Sequence, residues 1–127
     1  MTQLGKLYSH AAVILQVPDL EATLKYYVDH LDLDISFKWG EPIEYAVGKL
    51  GENVQIHFAE NDTSEPFKTA LYIFVTDVNK VYASLKSKDV DITSDIADRE
   101  YGMRDFDITD LNGNRLTFAT GLDMINS

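Results

Sequence analysis

The chain contains no cysteine. A disulfide framework, a thiolate nucleophile and a thiolate metal site are therefore all excluded. No run approaches the ~20 consecutive apolar residues of a membrane-spanning helix, so no membrane partner is expected. The opening residues Met1-Thr2-Gln3-Leu4-Gly5-Lys6 lack the apolar core of a secretory signal, and a cytoplasmic location is the expectation. Basic residues are scarce: 11 Lys and Arg stand against 21 Asp and Glu, a net charge of −10. Phosphate binding needs clustered Lys and Arg, so nucleic acid is not an expected partner. Such a field attracts cationic ligands, or it serves solubility alone; the charge count leaves both readings open.

What remains is ordinary globular material. The 127 residues are 45% hydrophobic and 25% charged. That length suits one domain, residues 1–127, with a core of its own.

The pattern alternates strands and helices. Tyr8 to Val17 is rich in Val, Ile and Leu and predicts a strand. Asp19 stands where a helix N-cap belongs, and Leu20, Leu24, Tyr27 and Leu31 follow at helical spacing, with His30 near the end. Leu33 to Trp39, Ile43 to Leu50 and Asn53 to Ala59 predict three strands, separated by Gly40-Glu41-Pro42 and Gly51-Glu52. Glu60 to Lys68 is polar and predicts a linker. The order then begins again. Thr69 to Val75 predicts a strand, Asp77 an N-cap, and Val78, Val81, Tyr82 and Leu85 a helical stripe closed by Lys86-Ser87-Lys88. Val90 to Thr93, Met103 to Thr109 and Arg115 to Thr120 predict strands, with Asn112-Gly113 as a hairpin turn. Ser94 to Tyr101 shows no periodicity and predicts a loop.

The halves superpose. Leu15-Gln16-Val17-Pro18-Asp19-Leu20 and Ile73-Phe74-Val75-Thr76-Asp77-Val78 carry the same strand-to-helix step 58 residues apart. Two copies are a duplication, not a solenoid. Strand alternation puts Val13, Leu15, Val17, Ile56, Phe58, Ile73, Leu116 and Phe118 against the helices. It turns Ala12, Ile14, Gln55, His57, Ala70, Tyr72, Phe74 and Thr117 to the other face. That second face mixes small, polar and aromatic groups, as a ligand cleft would, or as an ordinary sheet with aromatic cross-strand pairs would. Phe37, Trp39, Tyr45, His57, Tyr72 and Phe74 are the candidate ligand-binding residues; core or interface packing is the alternative for each. Asp105 and Asp107 share a strand face and add negative potential near it, or form a solvated edge. Arg104 is expected to pair with an acid.

Together, the repeated halves, the Val17-Pro18-Asp19-Leu20 step and the tail Tyr101-Gly102-Met103-Arg104-Asp105-Phe106-Asp107-Ile108-Thr109-Asp110-Leu111-Asn112-Gly113-Asn114-Arg115-Leu116 resemble the vicinal oxygen chelate superfamily. This superfamily comprises glyoxalase I, extradiol dioxygenases, fosfomycin-modifying enzymes and bleomycin resistance proteins. The resemblance runs from about Tyr8 to Thr120. It implies an α+β fold of two βαβββ half-repeats, about 8–60 and 69–120, forming a curved mixed sheet around a cleft with helices on the outer face.

Enzymes of this superfamily usually hold a divalent metal on that cleft face. The resemblance places their ligand positions at Ala12, Ala70, Thr117 and, approximately, His57. Alanine has no donor atom, a neutral hydroxyl is a weak ligand, and a catalytic metal generally needs about three protein ligands. His10 shares parity with Ala12 but lies roughly 6–7 Å further along a strand. No metal and no cofactor are therefore expected.

Loss of the ligands is similar to the bleomycin resistance branch, whose homodimers sequester a cationic aromatic antibiotic without a catalytic metal. The first expectation is thus a metal-free small-molecule binder, a homodimer, with a cationic aromatic ligand of the bleomycin type and antibiotic resistance as its role. The second is a metal-dependent lyase, isomerase or dioxygenase using His57 with an unrecognised ligand set; a metal-free enzyme with His57 as general base is a variant of it. The third is an interaction module whose cleft is vestigial.

Overall fold

The computed structural model describes residues 4–61 and 68–126. Ten elements carry the architecture: β1 (Val13–Val17), α1 (Leu20–Leu31), β2 (Asp34–Trp39), β3 (Tyr45–Leu50), β4 (Val54–Glu60), β5 (Ala70–Phe74), α2 (Val78–Lys86), β6 (Asp91–Asp98), β7 (Met103–Thr109) and β8 (Arg115–Gly121). A 3-10 turn at Leu4–Lys6 precedes them, and a short helix, α3 (Leu122–Ile125), follows. Each half is a βαβββ unit with its own four-stranded mixed sheet, ordered β1-β4-β3-β2 and β5-β8-β7-β6. The first strand of each half runs parallel to the last, and the remaining pairs are antiparallel. The curved sheet expected from the sequence thus takes the form of two sheets, one per half.

The helix starts repeat in atomic detail. Asp19 and Asp77 both adopt extended backbone and accept the amide of the residue three positions on, Ala22 and Lys80, at 3.1 and 3.2 Å. A second acceptor comes from the closing strand of each half. Glu60 Oε1 accepts the Leu20 amide at 3.0 Å, and Thr120 Oγ1 accepts the Val78 amide at 2.9 Å. Amides left without intrahelical partners are thereby satisfied at both N-termini. The α1 helix ends at Asp32, in the left-handed region, whose N–H bonds back to the Tyr27 carbonyl. His30 Nδ1 lies 2.9 Å from the Tyr26 carbonyl in the last turn.

Leu15, Val17, Ile56 and Phe58 are buried with Leu20, Leu24 and Tyr27 of α1. Ile73, Phe106, Ile108, Leu116 and Phe118 are buried with Val78 and Leu85 of α2. The two sets belong to one apolar cluster. Full burial of each such side chain contributes about 1.5–3 kcal/mol. Polar bonds also cross between the halves: the Tyr27 hydroxyl donates to Asp110 Oδ2 at 2.6 Å, and Asn112 Nδ2 donates to Thr23 Oγ1 at 2.9 Å.

Two expected elements differ. The β1 strand covers only Val13–Val17, not the stretch from Tyr8. In its parallel register with β4, Val13 faces Ile56, so β4 begins opposite Ala11, and among the described residues no strand pairs with the residues before it. The segment Ser94 to Tyr101 is not a loop throughout: β6 continues to Asp98. Register shifts lie between Ile92 and Ser94 and again between Ser94 and Ala97. Each resets the alternation of faces, which removes the period-2 signal while leaving the strand in place. The expected linker lies mostly outside the described residues.

Candidate functional site

The first sheet turns one face away from its helix. Strand register defines two rows on that face: Ile14, His57, Val47 and Phe37, then Gln16, Ala59, Tyr45 and Trp39. The aromatic members reach it through a β-bulge. Ile35 pairs with Gly48, packs on the core and is partly buried, whereas Phe37 pairs with Val47 after a register shift. Unbroken alternation would have put Phe37 and Trp39 on the core side with Ile35; the extra residue re-aims them outward. Phe37 is 51% exposed and Trp39 59%.

Phe37, Trp39 and Tyr45 line a cavity of about 630 Å³ together with Glu44 and Glu60. The Trp39 carbonyl accepts the Glu44 amide at 2.8 Å, closing the β2–β3 turn and bringing that carboxylate to the aromatic wall. Tyr45 and His57 meet edge to face with ring centroids 5.5 Å apart, and the phenol oxygen lies 2.5 Å from His57 Nδ1. His57 is thus a half-buried, hydrogen-bonded residue of the cleft face.

Tyr72 and Phe74 sit on the second sheet. They contact one another edge to face at 5.2 Å and are 45% and 73% exposed. Their rows are Tyr72, Thr117, Asp107 and Ser94, then Phe74, Ala119, Asp105 and Ala97. Of the six candidates, the structure therefore gathers Phe37, Trp39, Tyr45 and His57 on one sheet and Tyr72 with Phe74 on the other. The cavity beside Trp39 is lined by residues of the first half.

The second sheet also carries a polar network that the sequence pattern did not reveal. The Asp105 carboxylate is buried. It accepts Arg99 Nε at 2.7 Å, the Tyr101 hydroxyl at 2.5 Å and the Tyr72 hydroxyl at 3.2 Å. Burial alone would raise this carboxyl, but the hydrogen bonds from Tyr101, Arg99 and Tyr72 outweigh it and hold it below the ordinary aspartate range. Burial, then the bond to Asp105, pushes the Tyr72 phenol up to about 12. Asp107 accepts the Thr117 hydroxyl at 2.6 Å. Arg99 and Tyr101 fall at the end of the segment read as a loop, so no spacing signal marked them. Arg104 does pair with an acid: its Nε and second guanidinium nitrogen meet the two oxygens of Asp98 at 2.6 and 3.3 Å.

The positions implied for a divalent metal do not fit one. Ala12 and Ala70 offer methyl groups, the Thr117 hydroxyl is committed to Asp107, and His57 Nδ1 is committed to Tyr45. His10 precedes β1, is exposed and bonds Ser9 Oγ. Among the described residues, no three His, Cys, Asp or Glu side chains converge. Among them too, no helix is long and apolar enough to cross a membrane.

A twice-repeated βαβββ unit, with an aromatic face turned away from each helix layer, defines a duplicated cleft fold. The chain belongs to the Glyoxalase/Bleomycin resistance protein/Dioxygenase superfamily, whose model matches residues 8–118. Among curated proteins no sequence match is significant. Solved structures share the fold. TioX from Micromonospora sp. ML1 is 18% identical with a TM-score of 0.79, the match covering 91% of this chain and 100% of that one. TnmS3, an antibiotic binding protein from Streptomyces sp. CB03234, is 18% identical with a TM-score of 0.76, covering 90% and 97%. The bleomycin-binding protein from bleomycin-producing Streptomyces verticillus, solved with copper(II)-bleomycin, is 19% identical with a TM-score of 0.71, covering 90% and 97%. At these identities the likeness establishes the fold.

Proposed function

We propose that the protein is a non-catalytic small-molecule binder that sequesters a flat, cationic aromatic compound of the bleomycin type. The observation that carries this reading is the exposed wall of Phe37, Trp39 and Tyr45 bordered by the carboxylates of Glu44 and Glu60. Large rings held in water-facing positions at a cleft fit stacking against another ring, and adjacent negative charge favours a cation there. His57 contributes a hydrogen-bonding group beside the wall. Structural likeness to two antibiotic-binding proteins supports the ligand class.

The active species under this reading is a homodimer. Phe37 and Trp39 on one sheet and Tyr72 and Phe74 on the other remain exposed in a single chain, and β1 and β5 are both sheet edges. A second copy placing its second-half face opposite the first-half face would cover these rings and unite all six candidate residues in one cleft.

The test is titration of the purified protein with copper(II)-bleomycin and with metal-free bleomycin, followed by mass spectrometry of the recovered ligand and light scattering of the complex. Saturable binding of an unchanged ligand by a dimer is expected. A chemically altered ligand, or no binding across a panel of cationic aromatic compounds, would overturn the reading.

A further inference from the structure

The face of the second sheet turned away from α2 differs from the corresponding face of the first. Beneath it lies a layer of small and polar groups that no solvent reaches: Ala119 is fully buried, and Asp105 and Thr117 nearly so, although register places all three on the face turned away from α2. Three side chains reach Asp105 on this face, two tyrosines and Arg99. The Tyr101 hydroxyl, from the β6–β7 turn, and the Tyr72 hydroxyl, from β5, both bond the same carboxylate oxygen, Oδ2. The other oxygen takes Arg99 Nε, and that guanidinium is anchored in turn on the Asp95 carbonyl at 3.0 Å.

Such an arrangement puts an ion pair with a buried carboxylate and a partly exposed guanidinium to an unusual use. Tyr101 is 66% exposed and lies in a turn, so its own burial contributes little to the fold. The bond to Asp105 nonetheless fixes its ring. Two phenol hydroxyls satisfied from below leave their rings to face outward as apolar, electron-rich surface, continuous with Phe74, which contacts Tyr72. Rigid tyrosines of this kind give contact area at low cost in conformational entropy, because the rotamers are chosen before a ligand arrives. On the neighbouring row, Asp107 is half-buried and Thr117 is its hydrogen-bond partner, which leaves carboxylate charge beside the rings.

We infer that Tyr101 joins Tyr72 and Phe74 in a second aromatic wall of the ligand site, and that Asp105, neutralised by Arg99, is the residue that positions it. The wall takes a flat cationic ring through its faces. This rests on the binding reading above, and adds a residue and a positioning pair that lie outside the six cleft candidates.

The experiment uses the full chain with copper(II)-bleomycin as the probe and Trp39 emission as the signal. Tyr101→Ala is expected to weaken binding at least tenfold while remaining folded, with a modest fall in melting temperature from the lost bond to Asp105, and Tyr101→Phe, which loses the same bond but keeps the ring, to fall between it and wild type in affinity. In Asp105→Asn, the Tyr101 and Tyr72 phenols lose a carboxylate that raises both, so titration of tyrosine absorbance should show their ionisation moving down relative to wild type, with a parallel loss of affinity. A purely structural role for Asp105 would instead weaken binding through a general loss of structure, seen as a changed Trp39 emission in the unliganded variant. If wild type binds and Tyr101→Ala binds equally well, the second wall is overturned while the binding reading stands. If wild type binds nothing, both fail together. Should Asp105→Asn not fold, Tyr101→Ala, altered only at an exposed turn, still decides the matter.

Discussion

The hydroxyl of Tyr27, fully buried in α1, donates a 2.6 Å hydrogen bond to Asp110, a residue 83 positions away in the turn between β7 and β8. The same carboxylate accepts the amides of Asn112 and Asn114 at 2.9 Å and the Asn114 side chain at 3.0 Å. One aspartate therefore shapes the Asn112-Gly113 turn, where Gly113 has φ +87°, and ties it to the helix of the other half. Burial, and then the charge of Asp110, raises the Tyr27 phenol far above its ordinary value. Tyr27→Phe keeps the ring and deletes the bond. A loss of about 1.5–3 kcal/mol is expected, the usual worth of a bond to a charged group. Urea unfolding should show a lower midpoint with an unchanged slope.

The paired N-caps offer an internal control. Asp19→Ala and Asp77→Ala remove equivalent bonds in the two halves, so each should cost about 1 kcal/mol. Because the two caps belong to different helices and share no hydrogen-bond partner, their effects should add in the double variant. A marked departure from additivity in thermal melts would show that the two units do not respond alike.

Acid stability should report on Asp105. Its folded carboxyl lies below the ordinary value of 3.8. A group depressed in this way contributes stability that is fully present above the unfolded pKa and is lost as pH falls through the folded one. Melting temperature should therefore decline from roughly pH 4 downward, and more steeply in wild type than in Asp105→Asn, whose amide does not titrate in this range. Parallel curves for the two proteins would show that the network contributes no pH-linked stability.

Trp39 is the sole tryptophan, so intrinsic fluorescence reads the proposed cleft directly. Emission should be that of a solvated indole in dilute monomer, and should shift to the blue or quench on ligand binding or dimerisation. Trp39→Ala should weaken a stacked cationic ligand about tenfold or more, equivalent to about 1.4 kcal/mol. Binding that leaves Trp39 emission untouched would place the ligand elsewhere.

Much of this was legible in the chain. Asp19 and Asp77 at matched positions, the apolar periods behind them and the Asn112-Gly113 turn are local signals, because capping, amphipathicity and turn geometry are decided within a few residues. They sufficed for two βαβββ units and for the core residues Leu15, Ile56, Ile73 and Phe118. His57 on the cleft face followed from alternation along an unbroken strand.

Other features needed the third dimension. Alternation counted from Ile35 points Phe37 and Trp39 into the core; only the bulge, set by pairing with β3, turns them outward. Repeated register shifts hid most of β6, because a strand that changes face has no period to detect. Arg99 and Tyr101 converge on Asp105 through the β6–β7 turn, and Tyr27 meets Asp110 across the junction of the halves. Local chemistry thus determined which elements form and where they begin. Which side chains share a carboxylate, and which face a cleft, was decided by strand pairing and by how the two halves pack, since such contacts join residues whose neighbours in sequence carry no record of them.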